Sequence, residues 1–104
     1  MNNLEWLGEW YQRNCDGGWE HSYGIKIETL DNPGWHVSID LKETDYYNLQ
    51  IDRLNQDNGD NDWITCSITD GVFKGFGDNL KLDKIIQIFR NKVENIDFNG
   101  GNQL

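Results

Sequence analysis

The spacing of apolar residues predicts a helix at the start of the chain. Apolar side chains recur there at helical intervals, at Leu4, Trp6, Leu7, Trp10 and Tyr11. Residues 16–18 read Asp-Gly-Gly, and glycine commonly ends a helix. We therefore expect the helix to end at this segment. Its buried stripe should contain Leu4, Leu7 and Tyr11, and the two tryptophans should widen that stripe.

The middle of the chain predicts five β-strands. From Tyr23 onward the apolar period changes to the alternation that is typical of half-buried strands. Asp70-Gly71 is a preferred two-residue hairpin turn, and it would pair Ile68 with Phe73. The predicted strands are about 23–29, 35–41, 46–54, 63–69 and 72–76.

The turn between the first two predicted strands determines their register. Residues 31–34 read Asp-Asn-Pro-Gly, which is a strong turn signal. Directly opposed residues on paired strands share a face, so matching the two apolar faces requires an odd loop. We predict such a loop, for example 32–34 or 30–34, and no direct pairing of Leu30 with Trp35.

A second helical stripe follows the strands. Its apolar members are Leu82, Ile85, Ile86, Phe89 and Val93. We expect this helix to start near Asp78 or Asn79, because either side chain can cap it. Residues after Asn95 show no period, which predicts one domain over 1–95 and a flexible Asn- and Gly-rich tail over 96–104.

The order of the elements predicts the fold class. A helix, about five strands and a helix favour an α+β domain, with a single antiparallel sheet flanked by an N-terminal and a C-terminal helix. The helices would cover the apolar face, and the other face would stay open or half-open to water. The predicted hairpin directs Cys66 and Phe73 inwards, while Gly75 leaves space for close packing. Trp63 then falls on the opposite face.

Charge and composition exclude several classes of partner. The chain has 104 residues, which suits one domain, and a formal net charge of −9 from 18 acidic and 9 basic residues. Binding to nucleic acid or to an anionic membrane needs a basic face, so neither is expected. The five tryptophans argue against disorder. Without a long apolar run or a signal-peptide pattern, a cytoplasmic protein with reduced cysteines is expected.

The cysteines and histidines are weak candidates for catalysis or metal binding. A reactive cysteine needs a depressed thiol pKa, whereas Cys15 falls at a predicted helix C-terminus, where the helix dipole disfavours a thiolate. His21 and His36 show no metal-ligand spacing, and the pairing of Cys15 with His21 is a weak signal. Cys66 is predicted to be a small core residue. The sequence thus predicts no catalytic residues, no metal and no cofactor.

The acidic loop and the tryptophans are the candidate recognition features. Residues 55–62 are rich in Asp and Asn, but their spacing fails the calcium-binding EF-hand pattern, and a solvated hairpin loop is the plainer interpretation. A small core cannot easily enclose five tryptophans, so some ring area should reach the surface and anchor an interface. For any single tryptophan, packing is favoured. Acidic residues beside aromatic ones suit a basic protein partner.

Three stretches of the sequence are characteristic when they occur together. They read Cys-Asp-Gly-Gly-Trp-Glu-His at 15–21, Leu-Asp-Asn-Pro-Gly-Trp at 30–35 and Gly-Val-Phe-Lys-Gly-Phe-Gly-Asp at 71–78. With these strings the chain resembles the immunity protein 53 family over about residues 4–93. The resemblance implies an immunity protein of a bacterial polymorphic toxin system, which binds and neutralises a cognate toxin domain in the producer's cytoplasm.

On this resemblance we base a hypothesis about the contacts. We expect stoichiometric binding without catalysis, and a toxin domain of basic character, for example a nuclease, as the partner. The hypothetical toxin-binding residues are Trp19, Glu20, Asp57, Asp60, Asp62 and Trp63. For the residues of the family strings we favour cap and turn chemistry that maintains the fold: Cys15, Asp16, Gly17, His21, Asp31, Asn32, Pro33, Gly34 and Trp35.

Two other classes of function stay open from the residues alone. One is a small enzyme that uses Cys15 with His21, as in a sulfurtransferase-like reaction, or a pair of carboxylates. That class lacks an assembled set of catalytic residues in the sequence. The other is a sugar-binding module with exposed tryptophans and acidic or amide groups, and it lacks an export signal.

Overall fold

Five strands and two long helices build the protein. The computed structural model describes residues 1–102 of the 104-residue chain and the side chains of residues 1–97. The elements are α1 (Asn3–Asn14), α2 (Trp19–Ser22), β1 (Ile25–Thr29), β2 (Gly34–Asp40), β3 (Ile51–Asp57), β4 (Trp63–Thr69), β5 (Val72–Asp78) and α3 (Leu82–Asn102). The strands form one antiparallel sheet in the order β1-β2-β5-β4-β3. The predicted α+β class, with one antiparallel sheet and terminal helices, is confirmed.

The C-terminal helix α3 packs on the sheet through its predicted stripe. The fully packed residues of that stripe are Ile85, Ile86, Phe89 and Val93. They meet the apolar side of the central strands, which consists of Val37, Ile39, Ile64, Cys66, Ile68 and Phe73. A Cβ at Gly75 would overlap the side chain of Ile85. The glycine therefore allows the helix to approach β5 closely, as the sequence predicts.

The N-terminal helix α1 lies against α3, and its buried face differs from the predicted stripe. Its buried residues are Asn3, Trp6, Leu7 and Trp10. Leu4 and Tyr11 are instead 66% and 40% exposed, so their predicted burial is wrong. The ring centroids of Trp10 and Trp6 lie 5.0 and 5.9 Å from that of Phe89. Packing of these two large indoles on α3 sets the rotation of the helix.

Both predicted strand connections are confirmed. Thr29 pairs with Trp35, so the five residues 30–34 form the loop that connects this last pair of β1 and β2. The backbone N–H of Leu30 donates to the Gly34 carbonyl at 3.0 Å. In the second hairpin Ile68 pairs with Phe73, as expected for a two-residue turn at 70–71.

The third strand lies further along the chain than predicted. It spans Ile51–Asp57 rather than 46–54. Residues 41–49 form successive turns, for example with the Thr44 N–H donating to the Leu41 carbonyl at 3.1 Å. The Leu41 N–H donates to the Gly71 carbonyl at 2.7 Å, and residues 41–49 belong to no strand of the sheet.

The last helix starts later and continues further than predicted. Strand β5 continues to Asp78, whose carbonyl accepts the N–H of Lys81 at 3.0 Å, and the helix begins only at Leu82. It runs to Asn102, so residues 96–102, which the sequence assigns to a tail, belong to the helix. The flexibility of the tail stays a prediction, and residues 103–104 lie outside the described residues.

Over residues 1–102, no helix has both the length and the apolar character needed to cross a membrane.

Candidate functional site

One face of the sheet is left uncovered by the helices of the described chain. Across the five strands it presents the row Glu28, His36, Phe76, Thr65 and Asn55. The His36 ring stacks in parallel on Phe76 with centroids 4.2 Å apart, and its Nδ1 lies 3.0 Å from Glu28 Oε1. The surface around this row is termed the open face. It combines aromatic and polar side chains, a composition that is common at protein interfaces.

At one end of the open face, three connections form a cleft. They are the β1–β2 loop, the β3–β4 loop and the turn between β5 and α3. The cleft has a volume of about 490 Å³, and its lining residues are Asn32, Pro33, Asp57, Gly59, Asp60, Asn61, Trp63 and Asn79. Strand order explains the convergence, because these connections all leave the same end of an antiparallel sheet.

An ion network around the buried Asp78 carboxylate holds the walls of the cleft together. The Lys81 ammonium contacts Asp78 Oδ2 at 2.6 Å and Asp62 Oδ1 at 2.7 Å. Asp78 is 1% exposed, and it also accepts the backbone N–H groups of Trp63 and Leu80, each at 2.9 Å. The Lys81 ammonium, followed by those backbone groups, lowers the pKa of the Asp78 carboxyl to about 2. Lys81 thereby ties the β3–β4 loop to the start of α3.

We expect the Asp78 carboxylate to give the protein a characteristic acid sensitivity. Its folded pKa, about 2, lies below the ordinary 3.8, so its stabilising effect is present above pH 4 and is lost as the pH falls towards 2. Asp78→Asn should therefore lower Tm at pH 7 and flatten the decline of Tm between about pH 4 and pH 2. Circular dichroism melts of wild type, this variant and Asp45→Asn, an exposed control, measure both effects. Parallel curves for wild type and Asp78→Asn would contradict the assignment.

Of the carboxylates in and beside the β3–β4 loop, Asp62 joins the ion network, whereas Asp57 and Asp60 line the cleft. The Asp62 pKa is lowered mainly by its hydrogen bond to Lys81, and this side chain also accepts from Asn58 Nδ2 at 3.3 Å. Asp57 accepts the Gly59 N–H at 3.0 Å. Among the described side chains, no Lys, Arg or His forms an ion pair with Asp57 or Asp60. Their charge is thus unneutralised within the protein, beside the half-buried Trp63.

The structure divides the predicted contact residues into two groups. Asp57, Asp60 and Trp63 line the cleft, with Asp62 in the same loop. Trp19 lies at the other end of β2, where its indole Nε1 donates to the Asp40 carbonyl at 2.9 Å. Seven strand residues at about 3.4 Å each place the two groups roughly 20 Å apart.

The expectation that Trp19 offers an exposed anchor needs correction. Its side chain is 0% exposed, and its ring packs edge-on against Trp10 with centroids 5.7 Å apart. Glu20, its neighbour in α2, uses both carboxylate oxygens to accept the N–H groups of Asp16 and Gly17, at 2.9 and 2.8 Å. In this fold Trp19 is a core residue and Glu20 organises a turn.

The first family string builds the connection from α1 to α2. Cys15 caps α1 through its backbone N–H, and Asp16 Oδ1 accepts the N–H groups of Gly18 and Trp19 at 2.9 and 3.0 Å. Gly17 has φ +93°, which favours glycine. His21 is exposed in α2.

The second family string forms the β1–β2 loop and the start of β2. A Cβ at Gly34 would lie 2.5 Å from the Gly77 carbonyl oxygen, so no larger residue fits there. The Trp35 indole donates to the Asn79 carbonyl at 3.1 Å. Asp31, Asn32 and Pro33 are exposed, and the last two line the cleft. The loop therefore combines turn chemistry with a place in the candidate site, which its sequence alone does not indicate.

Both cysteine side chains contribute to local packing and hydrogen bonding. The Cys15 Sγ donates to the Tyr11 carbonyl at 3.2 Å. Cys66 is 1% exposed in the core, as predicted, and burial raises the pKa of its thiol to about 11. Over the described residues, no group of three or more His, Cys, Asp or Glu side chains could hold a metal ion.

The fold and the cleft define a class of protein: a small α+β domain whose helices cover one face of an antiparallel sheet and leave the other face open for contacts. The chain belongs to the immunity protein 53 family, whose model matches residues 4–94. No protein with curated annotation and no solved structure matches the chain.

Proposed function

We propose that this protein is an immunity protein that binds a cognate bacterial toxin domain in the cytoplasm of the producing cell and neutralises it stoichiometrically, without catalysis. The observation that carries the proposal is the open face of the sheet, which ends in a cleft with unneutralised carboxylates. Membership of the immunity protein 53 family supports the same conclusion.

Charge supports a basic partner. The chain carries a net charge of −9, and a nuclease toxin would present a positive active site because it holds phosphate. Complementary charge of this kind raises association rates by roughly 10- to 1,000-fold at low salt. The carboxylates of the cleft, from Asp57 and Asp60, would attract such a surface.

Size also permits a stable complex. A standard interface buries roughly 800 Å² on each partner. The protein has an accessible surface of 6748 Å², so such an interface takes about an eighth of it. The cleft alone is too small for this area, and the adjoining open face supplies the remainder.

Co-expression tests the proposal. A candidate cognate toxin domain is expressed in a sensitive host, alone and together with this protein, and survival is counted. We expect killing by the toxin alone and survival with both. Purified components should then form a one-to-one complex in which the toxin activity is stopped at equimolar protein.

Two results would reject the proposal. One is continued killing although this protein is soluble and abundant in the same cells. The other is protection that arises from turnover, seen as lasting chemical change of the toxin by substoichiometric amounts of this protein. The second result would support the enzyme alternative instead.

A further inference from the structure

We infer that the cleft is the seat of an arginine side chain from the partner protein, with the guanidinium against the Trp63 indole and paired with Asp57 and Asp60. This inference rests on the proposed function and specifies the chemistry of the contact. It goes beyond family membership, which assigns no contact residues.

The first argument is the distribution of charge around the cleft. Lys81, which follows the lining residue Asn79 closely in the chain, is already held by Asp78 and Asp62 at 2.6 and 2.7 Å. Asp57 and Asp60 form no ion pair among the described residues, although both line the cleft. A cation of a partner protein would therefore meet two carboxylates without a counter-ion. Lys81 would not compete with it, because Lys81 is already paired with Asp78 and Asp62.

The second argument is the aromatic wall. Trp63 is half-buried and lines the cleft, and its backbone N–H is bound to the buried Asp78 carboxylate at 2.9 Å. This bond and the pairing of Trp63 with Asp57 fix the start of β4. A guanidinium is attracted to an indole face, and tryptophan is the best aromatic partner for cations.

The third argument distinguishes arginine from other cations. Arginine is planar, forms paired hydrogen bonds with carboxylates and stacks on rings, whereas lysine is a compact charge that prefers water. The remaining lining groups are mainly amides, from Asn32, Asn61 and Asn79, whose carbonyl oxygens can accept further N–H donors. The volume of about 490 Å³ lies within the usual range for ligand sites, roughly 300–1,000 Å³.

A peptide titration tests the seat directly. The full chain, labelled with ¹⁵N, is titrated with a hexa-arginine peptide while the indole N–H signals of its five tryptophans are followed by NMR. We expect a saturable shift of the Trp63 signal. Trp10 and Trp19 are 0% exposed and serve as internal controls that should not move. Hexa-lysine should bind more weakly, and a hexa-citrulline peptide, which keeps the shape without the charge, should give no saturable shift.

Matched variants identify the carboxylates. Asp57→Asn with Asp60→Asn should weaken peptide binding by about 10- to 100-fold, because hydrogen bonds to charged groups are lost. Trp63→Ala should weaken it too. Glu9→Gln with Asp45→Asn removes the same charge from exposed positions away from the cleft and should leave binding unchanged. Equal losses in both double variants, equal binding of citrulline or lysine, or shifts confined to other tryptophans would each overturn the arginine seat.

Complex formation separates this inference from the proposed function. If wild type neutralises the toxin and the Asp57→Asn, Asp60→Asn variant does so with unchanged affinity, the arginine seat is wrong and the immunity function stands. If wild type does not bind the toxin, the immunity function fails, whatever the peptide shows. A loss of toxin affinity in this variant, with the Glu9→Gln, Asp45→Asn control unaffected, supports both.

Discussion

The double substitution Asp57→Lys and Asp60→Lys is expected to abolish protection against the toxin while leaving the protein folded. Both side chains are exposed and line the cleft, so lysine is accommodated without loss of core packing. Two cations facing a basic partner introduce repulsion, and like charges brought together at an interface cost several kcal/mol. That corresponds to an affinity loss of about 100-fold or more.

The control for this prediction separates local from overall charge. Glu9→Lys with Asp45→Lys changes the net charge by the same amount at exposed positions outside the cleft. Surface plasmon resonance against the toxin domain, at low and high salt, gives affinity and association rate for both variants. If overall charge alone attracts the partner, both variants will lose the same affinity; if the cleft is the contact, only the first will.

Phe89→Ala is expected to lower the free energy of unfolding by about 3–5 kcal/mol. Phe89 is 0% exposed and joins the three layers of the core: its ring centroid lies 5.0 Å from those of Trp10 and Phe73. Removing it opens a cavity between α1, α3 and the sheet. Because a domain of this size is stable by only about 5–15 kcal/mol, the variant will be close to unfolding.

Urea unfolding followed by tryptophan fluorescence measures the loss. Phe76→Ala removes the same atoms from the open face, where the ring is only partly buried against His36. This control should cost clearly less, since water already reaches the site. A similar loss in the two variants would show that the α1–α3–sheet junction is not the centre of the core.

Local patterns predicted the parts of the fold that depend on neighbouring residues. Alternation and the Asp-Asn-Pro-Gly turn were sufficient to predict an odd loop, because a wrong parity would bring polar side chains into the core. The structure selects the five-residue loop 30–34 over the three-residue one. The Asp70-Gly71 turn likewise specified the pairing of Ile68 with Phe73. The predicted buried stripe of α3 was also correct, because a single face of this helix packs on a single face of the sheet.

Features set by distant contacts were predicted poorly. The rotation of α1 follows the packing of Trp6 and Trp10 on Phe89, and these rings are far apart in the chain. The burial of Trp19 depends on a hydrogen bond to the Asp40 carbonyl across the fold. Neither contact leaves a periodic signal in the sequence.

The candidate site was predicted in part. Asp57, Asp60 and Trp63 belong to one acidic, aromatic segment, and composition was enough to select them. Asn32, Pro33 and Asn79 join them only because β2 pairs with β5 and β5 with β4. Strand order is a property of the whole chain, so the sequence of each loop could not reveal that the loops meet.

Lys81 also limits the conformational entropy that the cleft loses when it binds a partner. An unrestrained loop must be ordered when it meets a partner, and that ordering costs roughly 0.5–1.5 kcal/mol for each immobilised side chain. In this protein the β3–β4 loop is already held by Asp62, Lys81 and Asp78 before any partner arrives. Preorganisation of this kind lowers the entropic cost of association, so a partner would meet a recognition surface whose shape is already set.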